Sequence, residues 1–260
     1  MTRVYALANQ KGGVGKTTTT INLAAYLGIA GKTVLIVDMD PQSNATSSLG
    51  FDKRSGQPSI YDSLVAGRPI DEVIVPTANE RVSLLPSAIQ LAGAEIELVG
   101  ILAREGRLAR TLSTVLDRYD YVLIDSPPSL GLLTINSLTA ANGVLIPVQC
   151  EYLALEGLGQ LVSTIELIRD SLNPRLRVAG VIMTMFDSRT NLSQGVVEEV
   201  RAHFPSLTFE TIIPRNVRLG EAPSFGQAIS TYDPTSRGAA AYQRLAAELL
   251  RRDGSQPVNC

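Results

Sequence analysis
Apolar and polar positions along this chain fall into two alternating rhythms. Short apolar runs rich in β-branched residues at 4–8, 34–38, 82–85, 121–125, 144–148, 178–184 and 207–213 predict strands. Between them, apolar residues at three- and four-residue spacing predict helices, most clearly at 17–29, 132–141, 156–170, 195–204 and 237–252. This alternation predicts an α/β fold, a mostly parallel central sheet with helices on both faces. Ligands in such sheets bind at the carboxyl ends of the strands, so the chemistry is expected just after each strand. The Ser-, Gly- and Asn-rich stretch 42–57 reads as a long connection and 254–260 as a loose tail.

Composition narrows the classes. With 260 residues, 45% of them hydrophobic, the chain can bury a sizeable core, and no shift in composition divides it, so a single domain over 1–260 is expected. The first strand begins almost at Met1, which leaves no room for an N-terminal helix-turn-helix domain. A net charge of -2 provides no global field toward nucleic acid, so any DNA binding must come from a local patch. The two cysteines, Cys150 and Cys260, have no ligand spacing, which argues against zinc, an iron–sulfur centre or a disulfide framework and fits a reducing cytoplasm. His203 is the single histidine, which excludes a multi-histidine metal site; it reads as part of a solvated helix end. No apolar run approaches membrane-spanning length, and the N-terminus lacks a signal-peptide pattern.

The first strand runs directly into Asn9-Gln10-Lys11-Gly12-Gly13-Val14-Gly15-Lys16-Thr17-Thr18 and then a helix. Glycines let successive backbone N–H groups face an anion, and the helix N-terminus favours negative charge. Lys16 is expected on the β- and γ-phosphates and the Thr17 hydroxyl on magnesium. The usual pattern GxxxxGK(S/T) requires glycine where Gln10 stands; what is met is the deviant form KGGxGK(S/T), with Lys11 as a second lysine. The fold class is accordingly a single-domain P-loop NTPase.

Two further strand ends carry carboxylates. Asp38-Met39-Asp40-Pro41 closes the second predicted strand, with charges suited to magnesium or to an attacking water. Val122-Leu123-Ile124-Asp125 is a Walker B pattern that should hold magnesium through water, and Pro127-Pro128 forces the chain to leave it as a fixed loop. No NKxD motif is present, which favours adenine over guanine.

The loop resembles that of the ParA/MinD group of deviant Walker ATPases. The segments ALANQKGGVGKTTTTINLAAYL, VDMDPQSNATSSLG, IDSPPSLGLLTINSL and IPRNVRLGEAPSFG, in this order, resemble the ParA/Soj branch over nearly the whole chain. Ser126 stands where relatives commonly have Cys, Ala or Thr. The resemblance implies an ATP- and Mg2+-dependent ATPase of weak intrinsic turnover that partitions chromosomes or plasmids in the cytoplasm, on the nucleoid. It implies that Lys11 crosses an ATP-sandwiched homodimer to the partner's nucleotide. It assigns Asp40 to the hydrolytic water, and Asp38 to the magnesium shell or to loop geometry. Pro214 and Asn216 fall in the loop that packs on adenine in the family, where proline offers a flat contact and the amide a donor and an acceptor. Arg189 and Arg218 match positions that contact DNA without sequence preference, and a ParB-like partner is expected to stimulate hydrolysis. The alternative is a MinD-like membrane-associated ATPase of the cell-division site; the Ala/Leu-rich last helix, without Trp or Phe, reads as core-facing rather than as a lipid anchor, so no stable membrane association is expected.

Overall fold
The computed structural model describes residues 1–52, 56–151 and 154–254. The chain opens with β1 (Arg3–Leu7), α1 (Lys16–Ile29) and β2 (Val34–Asp38), followed by α2 (Asn44–Ser48) and α3 (Ile60–Leu64). Next come β3 (Val75–Pro76), β4 (Val82–Leu85), α4 (Leu91–Glu97) and α5 (Arg107–Ser113). Three strand–helix units follow: β5 (Tyr121–Asp125) with α6 (Leu132–Ala140), β6 (Gly143–Gln149) with α7 (Ala154–Ser171), and β7 (Arg177–Thr184) with α8 (Asn191–His203). The chain then passes through α9 (Val217–Glu221) and α10 (Ile229–Tyr232) into α11 (Arg237–Gly254).

The seven strands form one sheet in the order β3-β4-β2-β5-β1-β6-β7, parallel except for the β3 edge. The mostly parallel sheet covered on both faces is therefore as the sequence predicts. One face buries residues of α3 to α8, including Leu64, Leu112, Leu133 and Leu161. The other buries Leu23 and Leu27 of α1 against Tyr242, Leu245 and Leu249 of α11. Placement of the site follows from register: Leu7 pairs with Asp125 and Asp125 with Asp38, so β1, β5 and β2 end side by side.

Six of the seven expected strands form. The seventh, at 207–213, corresponds to two isolated bridges, Val181 with Thr208 and Phe186 with Pro214. Phe209 N–H still donates to the Val181 carbonyl and Ile213 N–H to that of Met183, but between them Glu210 and Thr211 N–H donate to Glu248 Oε1 and Oε2 at 2.8 and 2.9 Å. A carboxylate from α11 thus takes the place of a ladder. The expected long connection at 42–57 contains α2, and β3, α4 and α5 are additions to the expected elements; Gly254 ends α11, and the rest of the expected tail lies outside the described residues.

Burial pushes the Glu248 carboxyl up, but the Glu210 and Thr211 N–H groups and Arg252 outweigh it and hold the group below its ordinary range. A carboxyl lowered by folding stabilises above its unfolded-state value, and that contribution is lost as pH falls. Glu248→Ala leaves two part-buried N–H groups without their partner and is expected to lower the unfolding free energy by about 2 kcal/mol, with Glu248→Gln losing less. Urea unfolding at neutral pH measures both, and the gap between wild type and Glu248→Ala should narrow in acid.

Candidate nucleotide site
The phosphate loop leaves β1 between β5 and β6. Gly13 and Gly15 sit at φ 75° and 90°, a left-handed conformation that side chains with a Cβ resist, and α1 begins at Lys16. The loop is tied down from two neighbouring strands: Asn9 Nδ2 donates to the Pro147 carbonyl of β6 at 2.8 Å, and Thr184 Oγ1 of β7 donates to the Val14 carbonyl at 2.8 Å. Lys16 is buried, and its Nζ donates to the carbonyls of Asn9 at 3.0 Å and Lys11 at 3.3 Å. Burial lowers its pKa, against the opposing charges of Asp125 and Asp40. Lys11 differs: it is exposed with Gly12 and Gly13, and among the described residues it makes no ion pair.

Thr17 Oγ1 donates to Asp125 Oδ2 at 2.7 Å, and Thr20 Oγ1 approaches Oδ1 at 3.3 Å. Asp125 is buried beside Asp38; burial first, then the Asp38 charge, raise its pKa from 3.8 to about 8, against the Thr17 hydrogen bond and Lys16. A buried carboxylate in contact with a hydroxyl fits a magnesium ion that takes one or two protein oxygens and completes its shell with phosphates and water. Among the described residues, no group of three or more His, Cys, Asp or Glu is placed to hold a metal.

Asp38 is differently engaged. Its Oδ1 accepts from Asp40 N–H at 3.1 Å, and its Oδ2 accepts from Thr46 N–H at 2.8 Å and Thr46 Oγ1 at 2.7 Å. Burial is the main cause that raises its pKa, to about 6, despite those hydrogen bonds. Thr46 Oγ1 in turn accepts from Ser87 N–H, and Ser87 Oγ donates to the Asp40 carbonyl at 2.8 Å. The Asp40 loop is therefore held through Asp38, Thr46 and Ser87, while Asp40 itself uses Oδ1 on Gln42 N–H at 2.9 Å.

On the far side of the loop lies a pocket of about 430 Å3 lined by Gly15, Thr18, Met185, Pro214, Asn216 and Tyr242 among others. Asn216 Oδ1 caps α9 by accepting from Arg218 N–H at 2.9 Å, which commits the acceptor half of the amide and leaves Nδ2 as the half for a base. Met185 stands in the left-handed region at φ 54°, unusual for a side chain of its size. Neither Met185 nor the Asn9, Thr46 and Thr184 anchors was among the expected site residues; of these only Asn9 carries a local signal, the turn in which its Oδ1 accepts from Lys11 N–H two residues on.

Arg189 and Arg218 follow β7 and the Pro214 loop, segments joined by the Phe186–Pro214 bridge. Both are exposed and paired within the chain. Arg189 meets Asp187 at 2.6 Å, and Arg218 meets Glu221 at 2.8 Å and Asp233 at 3.4 Å.

The raised Asp125 value gives a test with a definite sign. A carboxyl raised by folding stabilises the protein below its unfolded value, and the stabilisation is lost as pH rises through the folded value. The nucleotide-free protein is expected to lose thermal stability as pH climbs from 3.8 toward about 8, and Asp125→Asn to flatten that decline. Scanning calorimetry across this range, without nucleotide, measures it.

Known proteins resemble this chain over nearly its whole length. The family model described as "AAA domain" matches residues 2–178. The chain is 55% identical over 249 residues to the sporulation initiation inhibitor protein Soj of Bacillus subtilis, covering 96% of this chain and 98% of that protein. It is 53% identical over 251 residues to the chromosome partitioning protein ParA of Myxococcus xanthus, covering 96% and 89%. Among solved structures, cobyrinic acid a,c-diamide synthase of Mycobacterium smegmatis with bound ADP and magnesium superposes with a TM-score of 0.86 at 41% identity, over 98% of this chain and 96% of that one. The chain belongs to the ParA/Soj family of partitioning ATPases, within the ParA/MinD group, and uses ATP with magnesium.

Proposed function
We propose that this ATPase is a DNA-tethering switch: ATP joins two copies face to face, the dimer binds duplex DNA on the nucleoid without sequence preference, and slow hydrolysis releases it. The observation that carries this reading is the unequal engagement of the two loop lysines. Lys16 is buried on carbonyls of its own loop and is placed to take the β- and γ-phosphates of its own nucleotide. Lys11, exposed and without an ion pair among the described residues, is available to the γ-phosphate across a dimer. That contact exists only with ATP, so ATP has the differential affinity needed to drive association.

Within each site, Thr17 and Asp125 would hold magnesium, the Asp125 carboxylate through water, and the loop from Lys11 to Thr18 would surround the phosphates. Bound magnesium neutralises charge on the phosphate oxygens. Asp40 positions the attacking water, and Asp38 acts through Thr46 by fixing the Asp40 loop rather than as a metal ligand. Pro214 packs on adenine while Asn216 donates from Nδ2 to a ring nitrogen. With no strong base in place, turnover is slow, which suits a timer and leaves room for stimulation by a ParB-like partner.

Arg189 and Arg218 supply phosphate contacts. Their ion pairs are solvent-exposed, and such pairs exchange readily for phosphate. Dimerisation doubles the patch, so a subunit of net charge -2 gains DNA affinity only when paired. Membrane attachment through the last helix is disfavoured, because Tyr242, Leu245 and Leu249 of α11 are buried against the body. No helix of the described residues is long and apolar enough to cross a membrane.

Binding to unrelated duplexes, measured with ATP, ADP and no nucleotide over a range of salt, tests the reading. The wild type should bind only with ATP, and weaken steeply as salt rises. Arg189→Ala with Arg218→Ala should lose DNA while keeping ATP binding, and Asp40→Ala should bind DNA persistently while barely hydrolysing ATP. Tight binding without nucleotide, or an undiminished arginine variant, contradicts it.

A further inference from the structure
A separate cavity of about 280 Å3 opens on the α3–α8 face of the sheet, between the loop after α3 and the length of α5. Arg107 and Arg110 lie one turn apart on α5 with Thr111 and Thr114 beside them, and Arg68 and Ser63 close the other side. Among the described residues no carboxylate lines it, although Glu72 pairs with Arg68 from outside. Three guanidinium groups around a small hollow, one of them so paired, leave a local excess of positive charge in a chain of net charge -2.

The arginines are anchored and still have donors to spare. Arg107 gives Nε and Nη2 to the Leu64 carbonyl at 2.9 and 2.5 Å, Arg110 gives Nη2 to the Ala103 carbonyl at 3.1 Å, and Arg68 gives Nε to Glu72 at 3.1 Å. Nη1 of Arg107 and Arg110 and both Nη groups of Arg68 have no partner among the described residues. Ser63 closes the inner wall of the cavity and is 3% exposed.

A tetrahedral oxyanion answers this arrangement. Its oxygens accept from the planar guanidinium forks, and anchored guanidinium groups lose little freedom on binding. The cavity has room for a phosphate group and a few further atoms, and is too small for a nucleic-acid duplex. We propose that it binds a small phosphate-bearing anion, at a site separate from the nucleotide pocket, which would join α3 to α5. Since α5 leads into β5, whose last residue is Asp125, an occupant would brace the segment that delivers the Walker B carboxylate.

The test is calorimetric titration of inorganic phosphate, and in a second arm of glycerol 3-phosphate, into protein already saturated with Mg-ADP. The proposal expects one saturable site per chain at about 1 mM or tighter for at least one of the two probes. The first arm alone indicates a free-anion site, and the second a site for esters. Arg68→Ala with Arg110→Ala should weaken binding at least tenfold; Arg107, which braces the Leu64 carbonyl, is left in place, and thermal melting confirms that the variant folds. Lys16→Ala, titrated without nucleotide, should keep this site. Absence of a saturable site for either probe, a site lost in Lys16→Ala, or one indifferent to the double arginine change overturns the proposal.

Discussion
Asp38 and Asp125 end adjacent parallel strands in direct register, both buried, with the phosphate loop leaving the next strand over. Two carboxylates that close in a dry setting repel, and the protein answers each differently. Asp38 spends its charge on Thr46 and on the Asp40 backbone, which fixes the loop on one side. Asp125 meets the Thr17 and Thr20 hydroxyls and the charge of Lys16 against those of Asp38 and Asp40, so it is left with the higher of the two raised pKa values. The proposed division of labour, Asp38 positioning a loop and Asp125 holding magnesium, rests on this pairing.

Around these strand ends a single device recurs. Asn9, Asp38, Asp40, Asp187 and Asn216 each accept, through a side-chain oxygen, from the backbone N–H two residues on. Each bond turns the chain sharply at a residue other than glycine, and each spends part of the side chain's polar capacity locally. What remains, the second oxygen of Asp40 or Nδ2 of Asn216, is what the site has for substrate. Anchors from β6 and β7 to Asn9 and Val14 tie the loop down, while Lys11 carries an exposed charge at its start.

Much of this was legible in the sequence because it is local. Strand ends, the glycines of the loop and the positions of Lys16, Thr17, Asp40 and Asp125 follow from short patterns. The misses are non-local. The run 207–213 has the composition of a strand, yet its middle N–H groups bond a glutamate of α11 almost forty residues on, which no pattern within the run reveals. Helices α4 and α5 lie in an apolar stretch punctuated by Gly93, Gly100 and Gly106, which breaks the period by which longer helices are recognised. Thr46 and Thr184 look like ordinary threonines until the fold brings them to Asp38 and to the loop.

The physical claim at the centre is that ATP is read twice, by Lys16 from within a subunit and by Lys11 from across a dimer. Sedimentation velocity of the wild type and Lys11→Ala, each saturated in turn with Mg-ADP and with a magnesium-bound non-hydrolysable ATP analogue, addresses it most directly. The wild type should be monomeric with ADP and dimeric with the analogue, whereas Lys11→Ala should bind the analogue and stay monomeric. A dimer that forms equally with ADP, or a Lys11→Ala variant that dimerises as the wild type does, would contradict it.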